Sequence, residues 1–230
     1  MKSVIVMGKG SLAIQIAGWF MRSTDWNLVQ IVPVIPEPAW SDSFADWGYN
    51  NLIPVIASGD YLDVDMEAID LVFSVYYDRI IKQSFIDRCD LILNLHNAPL
   101  PKYRGVRPIN WALKNGETSH GVTIHAITAR IDAGPIYGQW EFSIDPVANE
   151  VREVYDRCIY HGWELFRDVM SRLNHIVPLP QDESKATYYS ADMNDMLWER
   201  VGWTREESMP EWFRDQQRRE SDFGDQLVGL

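Results

Sequence analysis

Apolar and polar residues switch between two periods along the first half of the chain. Val4-Ile5-Val6-Met7 is a short apolar run ending in Gly8-Lys9-Gly10, and over residues 12–21 apolar positions recur at helical spacing. This predicts a strand, a tight turn and a helix, with Ser11 as candidate N-cap. Loosely alternating, β-branched residues at 28–35 predict a second strand, and Leu52-Ile53-Pro54-Val55-Ile56 a third. Pro54 has no amide hydrogen to donate, so this segment is expected at an edge or at a strand start. Residues 69–76 predict a fourth strand, 81–88 a helical stretch, and Leu91-Ile92-Leu93-Asn94-Leu95-His96 a fifth strand. A proline-rich loop follows, then a helix over 109–114 and a β-rich pair at 121–127 and 136–142. A long amphipathic helix is expected from Asn149 to about Leu173, and from Pro178 the pattern weakens into a charged, Trp-rich tail.

Strands alternating with helices imply a parallel sheet wound by crossover helices. The expected fold class is therefore α/β: a Rossmann-like, mostly parallel twisted sheet with flanking helices and a short C-terminal extension. The core is assigned to 1–177 and the extension to 178–230, with acceptor binding or dimer contacts as its expected role. In such sheets ligands gather beyond the carboxyl ends of the strands, where Asn94 and His96 fall.

Composition narrows the function. The 230 residues are 46% hydrophobic, which suffices for one core. No run of 18 or more apolar residues occurs, so no membrane-spanning helix is expected. The apolar start of the chain lacks a small-residue cleavage site, and its glycines suit a first strand and turn better than a signal peptide. Cys89 and Cys158 form neither a metal-binding spacing nor a disulfide framework, so a reducing cytoplasm and no metal are expected. A net charge of −12 argues against a nucleic-acid surface while leaving room for a small anionic ligand. The ten tryptophans suit stacking surfaces, and equally a bulky core or dimer contact.

Gly8-x-Gly10 after a strand partly matches a dinucleotide-binding fingerprint, but Ala13 stands where a third glycine belongs. With no acidic residue closing the second strand, nicotinamide chemistry is not expected. The glycines can simply permit a tight turn; alternatively Lys9, at the turn tip, meets a phosphate beside a helix N-terminus.

Asn94 and His96 are two apart on a strand, so their side chains share a face. A carboxamide and an imidazole there can act as oxyanion donor and general base, and Asp132 before Ala133-Gly134-Pro135 can return a carboxylate to the same cleft. Taken singly, each has a structural alternative: a turn cap, a satisfied core histidine, an Asx turn.

The words around these residues are more specific. Asn94-Leu95-His96 with Leu100-Pro101-Lys102-Tyr103-Arg104-Gly105, Pro108-Ile109-Asn110-Trp111-Ala112, Gly121-Val122-Thr123-Ile124-His125 and Ile131-Asp132-Ala133-Gly134-Pro135-Ile136 resembles the N10-formyltetrahydrofolate-dependent formyltransferase family. The resemblance implies that His96 is the base toward an amine, Asn94 the oxyanion donor and Asp132 the supporting carboxylate. It implies N10-formyltetrahydrofolate as co-substrate, docked between residues 74–81 and 127–132 near Tyr77, Arg79, Ile81 and Ile127. It also implies a homodimer. The length and acidity argue against a tRNA acceptor, and the wording after Asn94-Leu95-His96 resembles sugar N-formyltransferases, which act on dTDP- or GDP-linked amino-dideoxy sugars for O-antigen and related lipopolysaccharide. Lys9, Lys102 and Tyr103 are the candidate contacts to the nucleotide sugar. Tyr188, Tyr189, Trp198, Trp203 and Arg205 in the tail offer rings and a cation for its base and pyrophosphate, or a dimer surface. Alternatives are a formyltetrahydrofolate hydrolase and a non-catalytic nucleotide-sugar or folate-binding protein.

Overall fold

A computed structural model describes residues 1–65 and 68–198. In chain order the regular elements are β1 (Lys2–Gly8), α1 (Gly10–Met21), β2 (Trp26–Pro33), α2 (Phe44–Asn50), β3 (Leu71–Val75), α3 (Gln83–Ile86), β4 (Ile92–His96), β5 (Arg104–Gly105), α4 (Pro108–Lys114), β6 (Ser119–Ala126), β7 (Ile136–Ser143), α5 (Val151–Arg172) and β8 (Tyr188–Tyr189). Six strands form one sheet in the order β2-β1-β3-β4-β6-β7. The first four run parallel, and β6 and β7 return antiparallel. This is the mostly parallel α/β sheet that the alternating pattern predicts.

Both sheet faces are buried, which is why β1, β3 and β4 read as nearly continuous apolar runs. On one face Val4, Val6, Phe73, Leu93 and Leu95 pack against α1 and α5 through Leu12, Ile16, Phe20, Leu165 and Phe166. On the other, Ile5, Met7, Val72 and Ile92 meet Tyr61, Ile81 and Phe85. Phe166 sits at the centre of an aromatic cluster, edge-on to Trp19, Phe20 and Phe73 with ring centroids 5.0–5.5 Å away. Helix α5 opens on a capping box in which Glu150 and Glu153 satisfy each other's backbone amides.

Several local expectations shift. The third predicted strand is a single parallel bridge, Ile31 to Val55, on the outer edge of β2. Pro54 can only accept there: its carbonyl takes the Ile31 amide at 2.9 Å, and Ile56 then donates to Ile31 at 3.0 Å. Helix α1 begins two residues earlier than Ser11 implies, with Lys9 at the N-cap and no side chain capping it. Gly8 is required at this turn, because its φ is +150° and a Cβ would lie 2.1 Å from the Val75 carbonyl. Helix α2 was not foreseen.

The tail beyond Pro178 is not a loose appendage over its described length. Leu179 exchanges backbone hydrogen bonds with Ile136, and β8 pairs in parallel with β5, bringing Tyr188 and Tyr189 beside Arg104 and Gly105. Gly105 makes this possible, since a Cβ there would lie 2.1 Å from the Tyr189 carbonyl. Trp203, Arg205 and the side chain of Trp198 lie outside the described residues.

Phe166→Ala removes the ring that joins α5 to α1 and β3. It should lower unfolding free energy by about 3–5 kcal/mol, measured by urea denaturation; a loss below about 1 kcal/mol would mean the cluster does not hold the helix to the sheet.

Candidate active site

Sheet register builds the site's first row. Ser74 on β3 lies opposite Asn94 on β4, and Asn94 lies opposite His125 on β6. Directly opposed residues face the same side, so three polar groups meet in line. Ser74 Oγ donates to Asn94 Oδ1 at 2.8 Å, and Asn94 Nδ2 lies 3.1 Å from His125 Nε2. The other ring nitrogen, Nδ1, is 2.9 Å from the Ala126 carbonyl. A carbonyl can only accept, so Nδ1 carries a hydrogen and the neutral ring offers Nε2 as acceptor to Asn94. The carboxamide is thereby held at both ends. Its second N–H is left for a ligand in the cavity that Asn94 lines.

His96 is fixed by the same logic. Its Nε2 is 2.8 Å from the Tyr103 carbonyl, so Nε2 carries the hydrogen and the neutral ring keeps its lone pair on Nδ1. Asp132 Oδ2 stands 3.7 Å from that Nδ1, and Oδ1 stands 3.5 Å from His125 Nε2. The Gly105 amide donates to Oδ2 at 2.8 Å. Asp132 adopts φ +49°, a left-handed conformation that costs a non-glycine residue energy. Tyr76 and Arg107, also on the cavity wall, have φ of +57° and +53°. Strained backbone gathered around one cavity marks a built site.

Burial would push the Asp132 carboxyl up, but the attraction of the His96 and His125 rings in their protonated form, together with the Gly105 amide, outweighs it and holds the group well below the usual carboxylate range. Nearby His120 is fully buried, with Nε2 donating to the Asn97 carbonyl at 2.8 Å; desolvation lowers it to about 4 and keeps it neutral.

The cavity holds about 860 Å³ and reaches from the β1–α1 turn to the loop carrying Asp132. Asn94, His96, Asp132, Tyr77, Arg79, Ile81, Ile127 and Lys9 all line it. Tyr77 is partly committed elsewhere: its hydroxyl donates to the Gly59 carbonyl at 2.6 Å, and desolvation pushes it up to about 12. Arg79 is paired with Asp60 at 2.7 Å. Near the first turn Trp40 stands edge-on to Tyr155, with centroids 5.6 Å apart.

Lys102 and Tyr103 do not reach the cavity. Lys102 Nζ lies 3.4 Å from Glu117, and the Tyr103 hydroxyl donates to the same carboxylate at 2.8 Å. The Tyr103 ring is buried against Tyr189, with centroids 5.5 Å apart. The loop uses the backbone of Tyr103, not its ring, to hold His96. Of the tail aromatics, Tyr188 lines the cavity, while Tyr189 stacks on Trp111 with centroids 4.4 Å apart. Ser74 was not singled out from the sequence, and His125 entered only as part of a motif. A partner on a neighbouring strand becomes legible only when pairing and register are known. Among the described residues, His, Cys, Asp and Glu form no group of three or more able to hold a metal.

A sheet that gathers an amide donor, an imidazole lone pair and a buried carboxylate at one cavity has the layout of an acyl-transfer protein. Residues 61–170 match the formyl transferase family model. The N-formyltransferase from Helicobacter canadensis, solved with folinic acid and dTDP-3-aminofucose, is 26% identical with a TM-score of 0.73, over 84% of this chain and 72% of that one. A 4-N formyltransferase from Francisella tularensis shares the fold at 22% identity and a TM-score of 0.68, over 83% and 77%. Phosphoribosylglycinamide formyltransferase from Bacillus halodurans shares it at 21% and 0.61, over 76% and 96%. Over residues 61–170 the chain is thus similar to the formyl transferase family, and its fold is similar to that of the N-formyltransferase from Helicobacter canadensis.

Because the folded state holds the Asp132 carboxyl below its ordinary value of 3.8, its ionised form stabilises the fold above that pH and ceases to as pH falls. Asp132→Asn should therefore be less stable than the wild type at pH 7, by a gap that is smaller at pH 3 and vanishes only as pH falls through the lowered folded value. Urea midpoints at both values check this; a pH-independent gap would count against the charge as its source.

Proposed function

We propose that this protein transfers a formyl group from N10-formyltetrahydrofolate to the amino group of a nucleotide-linked amino-dideoxy sugar. The observation that carries the reading is the meeting of Asn94, His96 and Asp132 at the mouth of β4, with Asn94 held by the Ser74 and His125 side chains, His96 by the Tyr103 carbonyl and Asp132 by the Gly105 amide. The residues fit a folate co-substrate. The cavity, about 860 Å³, falls within the range of small-molecule sites, and Ile81 and Ile127 give it an apolar stretch between two loops rich in backbone groups.

When bound, the co-substrate supplies an electrophilic formyl carbon attached to a nitrogen leaving group. His96 Nδ1, with its lone pair free, takes the proton from the incoming amine. Asp132, 3.7 Å from that nitrogen, stabilises the imidazolium that results, and the imidazolium returns the proton to the departing nitrogen as its bond to the formyl carbon breaks. Asn94 donates its free N–H to the carbonyl oxygen as negative charge develops there, and Ser74 and His125 prevent the amide from rotating away. Neither the base nor the donor has to reorganise during the reaction, because both are held before substrate arrives.

The acceptor assignment draws on other groups. Lys9 and the uncapped start of α1 suit a pyrophosphate, since orphan amides and a cation reinforce each other there. Trp40 and Tyr155, on the same stretch of wall, offer faces to a base or sugar ring. The similarity to a structure solved with dTDP-3-aminofucose supports a dTDP-linked or related acceptor. On this reading the product enters surface polysaccharide, and the working form is a homodimer.

Purified protein incubated with N10-formyltetrahydrofolate and a set of dTDP- and GDP-linked amino sugars should yield a product heavier by one formyl group. Mass spectrometry reads the outcome, and absence of product with every amine would sink the proposal. Folate turnover that continues without any amine would point instead to hydrolysis. His96→Ala should lower turnover by about two to four orders of magnitude while folate binding, followed by fluorescence, survives.

A further inference from the structure

The turn that carries Asp132 is held from outside the catalytic sheet. Gln181, in the tail, directs its Nε2 at two carbonyls of that turn, Asp132 O at 2.8 Å and Gly134 O at 2.7 Å. Its Oε1 accepts from Arg104 Nε at 3.1 Å and Nη2 at 2.7 Å. Every hydrogen-bonding position of the amide's two ends is thus directed, and the assignment of oxygen and nitrogen is unambiguous because guanidinium only donates and carbonyls only accept. Arg104 is 5% exposed, and its guanidinium also meets Glu183 at 2.9 Å and 3.1 Å. Glu183 in turn binds Arg130, on the loop leading to Asp132, at 2.8 Å.

The turn needs such support. Asp132 sits at φ +49°, and the close approach at Gly134, where a Cβ would lie 1.9 Å from the Ala126 carbonyl, leaves no room for a different path. Main-chain bonds within the turn are few: Ala133 donates to Arg130 at 3.3 Å, while Asp132 and Gly134 carbonyls face Gln181. The carboxylate therefore depends on a residue 49 positions later for its aim.

We propose that Gln181 is a positioning residue that ties the tail and Arg104 to the Asp132 turn and so aims the carboxylate at His96. The catalytic consequence rests on the role given to Asp132 above; the mechanical one does not. Loss of the two donated bonds lets the turn relax from its strained conformation, and Asp132 Oδ2 leaves both Gly105 N–H and His96 Nδ1. The effect is largest on the chemical step, since Gln181 holds the turn at Asp132 and Gly134 and not residues 74–81 or Ile127 beside the expected place of the pterin.

Gln181→Glu separates this from simple tethering. It keeps the size and strengthens the pairing with Arg104, but it places an acceptor against the two carbonyls. Amide hydrogen exchange by NMR supplies a readout that needs no activity. In Gln181→Glu the Gly105 amide, which donates to Asp132, should exchange about tenfold faster or more. The Arg104 and Val106 amides, which donate to Thr187 and Tyr189, should stay protected. In the transfer assay kcat should fall about tenfold or more with KM for both substrates within about threefold. Gln181→Met, which loses both partners, should show the same exchange at Gly105. Unchanged Gly105 protection in both variants overturns the proposal. So does loss of protection at Arg104 and Val106 together with Gly105 in Gln181→Glu, since that pattern belongs to a detached tail. If the wild type transfers no formyl group, the exchange result still decides the positioning role, and only the assigned reaction fails.

Discussion

One buried carboxylate organises this molecule's chemistry. Asp132 lies between two imidazoles with a backbone amide on one oxygen, and a charge in that setting is tolerable only while its partners stay in place. Each partner comes from a different segment: His96 from the end of β4, His125 from β6, Gly105 from the loop after the Asn94-Leu95-His96 motif. The cost of leaving that charge unpaired therefore couples three stretches of chain that local structure would not bring together. His96 in turn is held by a main-chain carbonyl on that same loop, so the loop's backbone holds both the imidazole and the carboxylate.

The sheet supplies what the carboxylate cannot. Parallel pairing of β3 with β4 and antiparallel pairing of β4 with β6 put Ser74, Asn94 and His125 side by side. The amide is immobilised by hydrogen bonds that are themselves fixed by strand register, the least deformable feature of the fold. The opposite face of the same strands buries Phe73, Leu93 and Leu95 against α1 and α5. Packing and the cavity thus share β4 through its alternation: Leu93 and Leu95 face the core under α1 and α5, while Asn94 and His96 face the cavity.

The tail changes the picture of how the domain is completed. Residues 179–189 add a short strand to β5, stack Tyr189 on Tyr103 and Trp111, and place Gln181 behind the Asp132 turn. Without them Arg104 would be a buried guanidinium lacking its partners Gln181 and Glu183. The described tail is structurally part of the site it closes.

The sequence by itself determined the alternation of strands and helices, the strand carrying Asn94 and His96, and the shared face of those two residues, because periodicity in apolar burial is a local signal. It also carried the motif words that resemble the formyltransferase family. Register between distant strands, side-chain direction in the loop after β4, and the path of the tail were decided only in three dimensions. Lys102 and Tyr103 illustrate the limit: their position in a motif suggested contact with substrate, yet a left-handed Tyr103, with φ +61°, turns its ring toward Glu117 and Tyr189 and leaves only its carbonyl facing His96. Ser74 and Gln181 have no local signature either, since a hydroxyl or an amide acquires meaning only from the groups it meets. Those meetings depend on hydrogen-bond partners up to 77 residues away, and no short-range pattern encodes them.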